Sequence, residues 1–224
     1  MSVRVINLLR LLIGLMPAST AKNVLLDRIG SGWAVANTAR LQPSLLWRIE
    51  TLSVGAGAAI GTGNVFRDLK RVTIGRGASV GQFNWVTAAA RIYLDDVNFE
   101  YRSLELGDYA SLTSRQCLDC SGGVVVGEQS TIAGVRSTVM THGPDIRRGR
   151  MEVAPVKIGR SCFISTNVVI IKGCTIADRI VVGAGSVVTS DLVESSSLYA
   201  GVPARRVGSM DDASYFMREG LLRN

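Results

Sequence analysis

Aliphatic residues return every six positions along much of this chain. The step is unbroken from Ile158 to Val188, where six aliphatic residues stand six apart. A period of six is neither the 3.6-residue period of an α-helix nor the alternation of a long strand. It predicts short strands joined by turns, three to a coil, with each aliphatic side chain pointing into a triangular column. The predicted coils cover residues 29–46, 54–71, 74–91, 106–123, 126–143, 158–175 and 176–193.

Small residues recur at two fixed places in the coils. Glycine follows the aliphatic residue that opens a coil at Gly30, Gly55, Gly75, Gly107, Gly127 and Gly159. We interpret these glycines as turn residues with positive φ. The fourth residue after the aliphatic one is often small, and it is a cysteine at Cys162 and Cys174. These two cysteines are therefore predicted to fill the core near a corner of the column.

The ends of such a column need caps. Residues 3–28 are apolar at helical spacing with basic residues interspersed, which predicts a helical cap over residues 1–28. The repeat domain is then expected over residues 29–193, and a C-terminal segment over residues 194–224. That segment is predicted to hold a short helix that starts at Asp211-Asp212 and includes Tyr215, Phe216, Leu221 and Leu222.

The apolar surface of the N-terminal cap is too wide for a simple amphipathic stripe. It consists of Val5, Leu8, Leu9, Leu11, Leu12 and Leu15. Such a surface either packs on the end of the column or lies on a membrane through residues 1–16. We favour packing, because apolar helix surfaces commonly cover a core.

Composition narrows the class of protein. At 47% hydrophobic and 19% charged, the 224 residues carry enough apolar material for a packed core, which excludes a disordered chain. The apolar stretch from Val5 to Met16 is interrupted by Asn7 and Arg10. It is also shorter than the about 20 residues that span a bilayer. No transmembrane helix or secretory signal is predicted, and we expect a cytoplasmic protein.

The net charge, the cysteines and the single histidine limit the ligands and reactions that this chain can support. The net charge is +7 and 21 of the 25 basic residues are arginine, which suits a phosphate-bearing small molecule; we expect no nucleic-acid partner. Four cysteines are too few for a disulfide scaffold. Cys117-x-x-Cys120 lacks the further ligands that a zinc ion needs, so no metal is predicted. The single histidine, His142, excludes mechanisms that need several imidazoles in one chain.

Three motifs accompany the repeat. They are Met140-Thr141-His142-Gly143-Pro144-Asp145, then Cys162-Phe163-Ile164-Ser165-Thr166-Asn167-Val168-Val169-Ile170, and finally Gly183-Ala184-Gly185-Ser186-Val187-Val188-Thr189 with Tyr199-Ala200-Gly201-Val202-Pro203-Ala204-Arg205. With the repeat, over about residues 29–208, they resemble the hexapeptide-repeat, or isoleucine-patch, acyltransferases. The resemblance implies an all-β fold, a left-handed parallel β-helix with short helices at its two ends. It also implies a homotrimer that transfers an acetyl group from acetyl-CoA to a hydroxyl of a saccharide or related alcohol, with no metal required.

His142 is the predicted general base. Acetyl transfer from a thioester to an alcohol needs a group that removes the hydroxyl proton and returns it to the departing thiolate, and a neutral imidazole does both. His142 also lies where the six-residue frame fails, because Thr138 occupies an aliphatic position. A 14-residue insertion from Pro144 to Lys157 follows and is expected to cover the acceptor.

The other predicted site residues come from the resemblance. The residues that would contact the coenzyme are Thr166, Ala184, Thr189 and Arg205, and those that would contact the acceptor are Asp145, Arg147, Arg148 and Phe163. The family's common second histidine after the catalytic one is missing, and arginines occupy that loop instead. They form either a solvated loop or a contact to a phosphate on the acceptor.

Other classes of function fit the sequence less well. A γ-type carbonic anhydrase needs a three-histidine zinc site, which one histidine per chain does not supply. Serine and xenobiotic alcohols remain alternative acceptors, although the N-terminal helical region is short for a serine acetyltransferase. The non-enzymatic alternative is a catalytically silent β-helix scaffold at a membrane surface.

Overall fold

The computed structural model of the protein describes residues 2–90 and 100–218, and two helices open this part of the chain. They are α1 (Val3–Gly14) and α2 (Thr20–Arg28). The hydroxyl of Ser2 accepts a hydrogen bond from the N–H of Val5, and that of Ser19 accepts one from Lys22. Each serine thereby satisfies an N–H that a helix start leaves unpaired. No helix in the described ranges is long and apolar enough to cross a membrane.

Three sheets of parallel strands follow, and we name them faces A, B and C of a triangular column, with strands numbered in chain order. Face A holds β1 (Trp33–Val35), β4 (Thr51–Val54), β7 (Arg71–Ile74), β10 (Ser103–Leu106), β13 (Val124–Val126), β18 (Val156–Ile158) and β21 (Thr175–Ile176). Face B holds β2 (Arg40–Leu41), β5 (Ala59–Ile60), β8 (Ser79–Val80), β11 (Ser111–Leu112), β14 (Thr131–Ile132), β19 (Phe163–Ile164), β22 (Ile180–Val182) and β24 (Ser197–Ala200), with β25 (Arg205–Ser209) antiparallel at its edge. Face C holds β3 (Leu45–Trp47), β6 (Val65–Arg67), β9 (Trp85–Thr87), β12 (Cys117–Asp119), β15 (Thr138–Val139), β20 (Val169–Ile170) and β23 (Val187–Val188).

Each coil of the chain visits faces A, B and C in turn, so the predicted parallel β-helix is confirmed. The described ranges trace the seven predicted coils, and β24 and β25 extend face B beyond the last one. Each face contributes at least one inward aliphatic side chain per coil, and most strands of face A contribute two, such as Leu104 and Leu106. In the last two coils the side chains at the six-residue step are Ile158, Ile164, Ile170, Ile176, Val182 and Val188, all buried. The six-residue period is therefore the period of the hydrophobic core.

Two predicted coils differ from the structure in register. Ile29 is the C-cap of α2, and the first coil instead points Val35, Leu41 and Leu46 inward. In the fifth coil the inward residue of face C is Val139 rather than Thr138, so one extra residue precedes it. In the fifth coil the neighbouring aliphatic side chain takes the core position. The first coil starts one step of six later than predicted, and its third core residue, Leu46, comes only five positions after Leu41.

The C-terminal helix is shorter than predicted. It is a 3-10 helix, Ser214–Met217, and Leu221 and Leu222 lie outside the described residues. Its Tyr215 ring packs edge-on against Phe163, with ring centroids 5.4 Å apart. The segment therefore covers part of face B.

The glycines that follow the opening aliphatic residues serve close packing, and the predicted positive φ is wrong for most of them. Gly127 has an ordinary φ, but a Cβ there would lie 2.5 Å from the carbonyl oxygen of Gly159 in the next coil. Gly75 and Gly107 are packed as tightly. The positive φ falls two residues later, for example at Gln129. Coils stacked about 4.8 Å apart leave no room for a side chain at this place.

The prediction that two cysteines fill the core is confirmed. Cys162 and Cys174 are buried in the core, and both are free thiols. Burial raises the pKa of the Cys162 thiol to about 11. Both act as small apolar residues.

The N-terminal helices pack on the open end of the column, but the side that they bury carries polar side chains. The packing that we favoured for the apolar surface is wrong for four of its six residues, because Val5, Leu8, Leu12 and Leu15 are exposed. Lys22 is fully buried, and its Nζ donates to the carbonyls of Gly14, Met16 and Leu41, each at 2.8 Å. Burial lowers the pKa of Lys22 to about 8. Arg10 is also buried and donates to the carbonyls of Ile29 and Ser31 at 3.2 and 2.9 Å. These side chains pair carbonyls that no further coil can reach.

A ladder of buried polar side chains runs along the corner between faces B and C. The Oδ1 of Asn64 accepts from the main-chain N–H and the side-chain amide of Asn84, each at 2.9 Å. Asn84 accepts from the N–H of Gln116 at 2.8 Å, and Gln116 accepts from the N–H of Ser137 at 2.7 Å. Side chains here replace the main-chain bonds that a turn interrupts.

Candidate active site

His142 lies at the corner where face C turns towards face A, at the start of strand β16 (His142–Asp145). Its ring Nδ1 is 2.7 Å from Oδ2 of Asp119. Asp119 ends β12, and Leu118 beside it pairs with Val139 of the next coil. Coil stacking therefore joins two side chains that are 23 residues apart in the sequence.

Hydrogen bonds hold both oxygens of the Asp119 carboxylate. Oδ1 accepts from the N–H and the hydroxyl of Ser121, at 3.1 and 2.5 Å. Oδ2 accepts from the main-chain N–H groups of Thr141 and His142, at 2.7 and 2.9 Å. Burial acts to raise the pKa of Asp119, but the hydrogen bonds from Ser121, His142 and Thr141 outweigh it and leave that pKa below its ordinary value. Asp119 is therefore ionised at neutral pH.

The carboxylate sets the tautomer of the histidine. An ionised carboxylate only accepts hydrogen bonds, so Nδ1 of His142 carries the proton that joins it to Asp119. In the neutral ring the lone pair then lies on Nε2, on the far side from Asp119. The His142 side chain is 31% exposed, so the ring is partly open to solvent. The pair has the arrangement of a general base held by a carboxylate.

Asp119 is the residue of the candidate site that the sequence reasoning missed. Its signal is a carboxylate directly after the aliphatic position of face C, one coil before the histidine. The extra residue in the fifth coil hides that signal, because a strict step of six does not align Leu118 with Val139.

The insertion after His142 is a hairpin of β16 with β17 (Arg150–Val153). Asp145, a predicted acceptor residue, caps its turn: Oδ1 accepts from the N–H groups of Arg147 and Arg148 at 2.9 and 3.1 Å. The structure thus gives Asp145 a turn-forming contact, and its contact with an acceptor stays a prediction.

Ion pairs tie the hairpin together. The Arg148 guanidinium is 3.4 Å from Glu152, and Lys172 Nζ from the sixth coil donates to Glu152 and to the Gly143 carbonyl, each at 3.2 Å. Arg147 is exposed and has no ion pair within the described part of the chain. Of the two predicted hairpin arginines, Arg147 is therefore the one available to an anionic acceptor.

Three of the predicted coenzyme residues stack along the corner between faces B and C. Thr166 bonds to Val135 of the coil below, its hydroxyl 3.0 Å from the N–H and 2.9 Å from the carbonyl. Ala184 is exposed one coil above. Arg205 pairs in register with Ala200 at the top of the same corner and is also exposed. They form one open edge that runs along the column.

Two predicted site residues lie away from that edge. Thr189 is exposed after β23, at the corner that also holds His142. Phe163 points outward on face B, against Tyr215. The structure therefore does not bring Phe163 next to His142 within one chain.

The histidine and the predicted coenzyme edge lie at opposite corners of face C. Six residues separate Val135, which bonds to Thr166, from Thr141, which adjoins His142. At the rise of a strand, six residues correspond to roughly 15–20 Å. One subunit thus presents the two parts of the predicted site on different corners.

No group of three or more His, Cys, Asp or Glu side chains is placed to hold a metal ion in residues 2–90 and 100–218.

Comparison with known proteins identifies the repeat. Residues 155–190, which hold the sixth and seventh coils, match the family model "Bacterial transferase hexapeptide (six repeats)". These two coils therefore carry the six-residue repeat that the family model describes. The chain is 37% identical over 93 residues to the galactoside O-acetyltransferase of Escherichia coli K12. That alignment covers 40% of this chain and 45% of the relative, so the match spans less than half of the relative's length.

Two further proteins match more of the chain. The "Putative colanic acid biosynthesis acetyltransferase WcaF" of Escherichia coli K12 is 26% identical over 163 residues, covering 71% of this chain and 75% of WcaF. A point mutant of AntD, an N-acyltransferase from Bacillus cereus, has a TM-score of 0.53 at 19% identity, covering 70% of this chain and 83% of AntD. That structure holds coenzyme A and dTDP-4-amino-4,6-dideoxyglucose. The likeness shows the shared fold, a left-handed parallel β-helix.

Proposed function

We propose that this protein is an acetyl-CoA-dependent O-acetyltransferase that acetylates a hydroxyl of a saccharide or a related alcohol. The observation that carries the proposal is the pairing of His142 Nδ1 with the Asp119 carboxylate at 2.7 Å, on a hexapeptide column. Relatives named for O-acetylation of galactosides and for colanic acid biosynthesis support the same class of reaction. A catalytically silent scaffold gives no reason for an imidazole fixed in one tautomer.

His142 would carry the proton through the reaction. Its Nε2 takes the proton of the acceptor hydroxyl as the oxygen bonds to the thioester carbonyl carbon, and the ring becomes an imidazolium next to the ionised Asp119. When the carbon–sulfur bond breaks, Nε2 returns the proton to the thiolate. Asp119 touches neither reactant, so it is a positioning residue that also stabilises the charged ring.

The open edge along Thr166, Ala184 and Arg205 is the proposed coenzyme site. The edge is straight and layered at about 4.8 Å, which suits an extended pantetheine arm. Arg205 stands exposed at its end and offers a guanidinium to phosphates. AntD, which shares the fold, is described in complex with coenzyme A.

A trimer with shared sites would unite the two corners. Face C and its corners carry the exposed apolar side chains Phe83, Trp85, Val135 and Met140. Covering them against a neighbouring subunit would bring the coenzyme edge of one subunit towards His142 of the next. We therefore propose a homotrimer with each site built from two subunits.

The first test is thiol release from acetyl-CoA against a panel of galactosides, other sugars, serine and simple alcohols. We expect a sugar to be the best acceptor, and His142→Ala to lower its turnover by about 10²–10⁴ while coenzyme binding persists. Arg205→Ala should weaken coenzyme binding instead. Wild-type protein that binds no coenzyme, or full turnover by His142→Ala, would rule out the enzyme. If serine or a xenobiotic alcohol is the preferred acceptor, the proposed sugar acceptor is wrong and the proposed acetyl transfer stands.

Co-expression of His142→Ala with Arg205→Glu tests the shared site. Each variant alone should be nearly inactive at low coenzyme concentration. Random mixing makes three quarters of the trimers mixed, each with one intact site in three, so activity should return to about a quarter of wild type. If one chain supplies both residues, every site keeps a lesion and mixing restores nothing. That outcome would contradict the shared site and leave the general base untouched.

A further inference from the structure

Helix α1 turns its apolar side outward. Val5, Leu8, Leu12 and Leu15 are 44, 50, 55 and 51% exposed, and they recur at a spacing that places them on one side of the helix. The opposite side faces the column and carries Arg10, which is 5% exposed. A surface helix of a water-soluble protein normally has the reverse arrangement.

The buried polar side chains explain this orientation. The open end of the first coil presents carbonyl groups, and the donors that satisfy them come from Arg10 and Lys22. Because Arg10 points inward, the leucines on the opposite side of α1 point outward. The stripe is thus a fixed product of how the cap satisfies the column, and it lies at the end of the molecule rather than on face C.

The exposed charge on α1 is positive. Asp27 is the first acidic residue of the sequence, and of the three cations that precede it Arg10 and Lys22 are buried. Arg4 is exposed on α1 itself. The Asp27 carboxylate accepts from the N–H of Val35 on the column. A stripe of leucines with exposed arginine and no acidic neighbour on its helix complements an anionic lipid surface.

A second copy fits the stripe poorly. The 12 residues of α1 give a helix about 18 Å long, so a stripe about 10 Å wide offers roughly 180 Å² per copy. A stable protein interface needs about 800 Å² from each partner. A bilayer surface sets no such minimum, because side chains insert one by one.

We propose that α1 docks this protein on an anionic membrane surface. The helix lies in the plane of the interface, its leucines enter the headgroup region, and the column stands on its N-terminal end. In the proposed trimer all three helices lie at the same end, so the contact would be threefold. The docking itself does not depend on the proposed reaction.

The test is co-sedimentation of the full-length protein with vesicles of phosphatidylcholine, with and without phosphatidylserine. Wild-type protein should bind the anionic vesicles, and Leu8→Ser with Leu12→Ser should reduce the partition coefficient by about tenfold or more. The matched control is Val193→Ser with Val207→Ser, which removes two exposed valines elsewhere on the molecule and should bind like wild type.

Folding and activity are followed in parallel. Both leucines are half-exposed, so the double variant should keep the wild-type melting temperature and its turnover of soluble acceptors. Wild-type protein that stays in the supernatant with anionic vesicles overturns the proposal, and so does a control pair that loses binding equally. If light scattering instead shows a larger assembly that the leucine substitutions dissolve, the stripe binds a second copy and the proposal is wrong.

Discussion

The substitution Asp119→Asn separates the orientation of the His142 ring from its presence. The amide keeps the size of the carboxylate but loses the charge and replaces one accepting oxygen by a donor. In the wild type, Oδ2 of Asp119 accepts from the main-chain N–H groups of Thr141 and His142 and from the His142 ring. An amide nitrogen in that place repels all three donors. If the amide oxygen occupies that place, the amide nitrogen takes the place of Oδ1 and faces Ser121, whose N–H and hydroxyl donate to Oδ1 in the wild type.

The magnitude follows from the bond that is lost. A hydrogen bond to a charged partner contributes about 1.5–3 kcal/mol. Since 1.36 kcal/mol is a factor of ten in rate, kcat should fall about 10- to 150-fold. His142→Ala removes the base itself and should cost about 10²–10⁴. Asp119→Asn is therefore expected between wild type and His142→Ala.

The assay is thiol release at saturating acetyl-CoA with the best acceptor, together with the dissociation constant of the coenzyme. For Asp119→Asn, kcat should fall while that constant stays at its wild-type value, because in the proposed reaction Asp119 touches neither the coenzyme nor the acceptor. Measurements are made below the melting temperature of every variant, since an unpaired donor can also cost about 1–3 kcal/mol of stability.

Asp108→Asn is the matched control. Asp108 belongs to the same coil as Asp119, and its carboxylate likewise accepts a main-chain N–H, from Arg76 at 2.8 Å, but at the corner between faces A and B. The Asp108→Asn variant should keep the wild-type kcat. The positioning role of Asp119 is refuted if folded Asp119→Asn turns over at the wild-type rate. It is equally refuted if the two variants lose the same activity.

Three further outcomes concern stability. Asn84→Leu leaves the buried N–H of Gln116 unpaired and removes the side-chain bond to Oδ1 of Asn64, which keeps its bond from the main-chain N–H of residue 84. Urea denaturation should therefore show a loss of about 1–3 kcal/mol, and a loss below about 0.5 kcal/mol would contradict the ladder. Gly127→Ala puts a Cβ 2.5 Å from a carbonyl oxygen and should clearly lower the melting temperature. The Cβ of Gly208→Ala meets nothing within 4 Å, so the stability of that variant should stay within about 0.5 kcal/mol of the wild type. Equal effects of the two substitutions would contradict the packing argument. The pKa of Asp119 is lower in the folded protein than in the unfolded chain, so the stabilisation from the ionised carboxylate is complete above the ordinary pKa of 3.8 and is lost as the pH falls through the folded pKa. The free energy of unfolding of Asp119→Asn should therefore fall less than that of the wild type as the pH is lowered from about 5. Parallel pH curves for the two proteins would contradict this stabilisation.

The sequence alone determined the architecture, because the period of the core is a local property. The six aliphatic core residues from Ile158 to Val188 that stand six apart follow from the sequence, and so do the helical cap and the core cysteines. The single histidine likewise limits the choice of base to His142 without any structure. Each of these statements depends on residues within one or two coils.

Only the tertiary structure decided which residues meet across coils. Whether Asp119 lies beneath His142 depends on the number of residues in each corner, and one extra residue before Val139 shifts that register. The reason for glycine at position 127 lies in the next coil, at Gly159. The outward leucines of α1 likewise follow from carbonyls at the end of the column that Arg10 must satisfy. Stacking couples residues far apart in sequence, and no local pattern records that coupling.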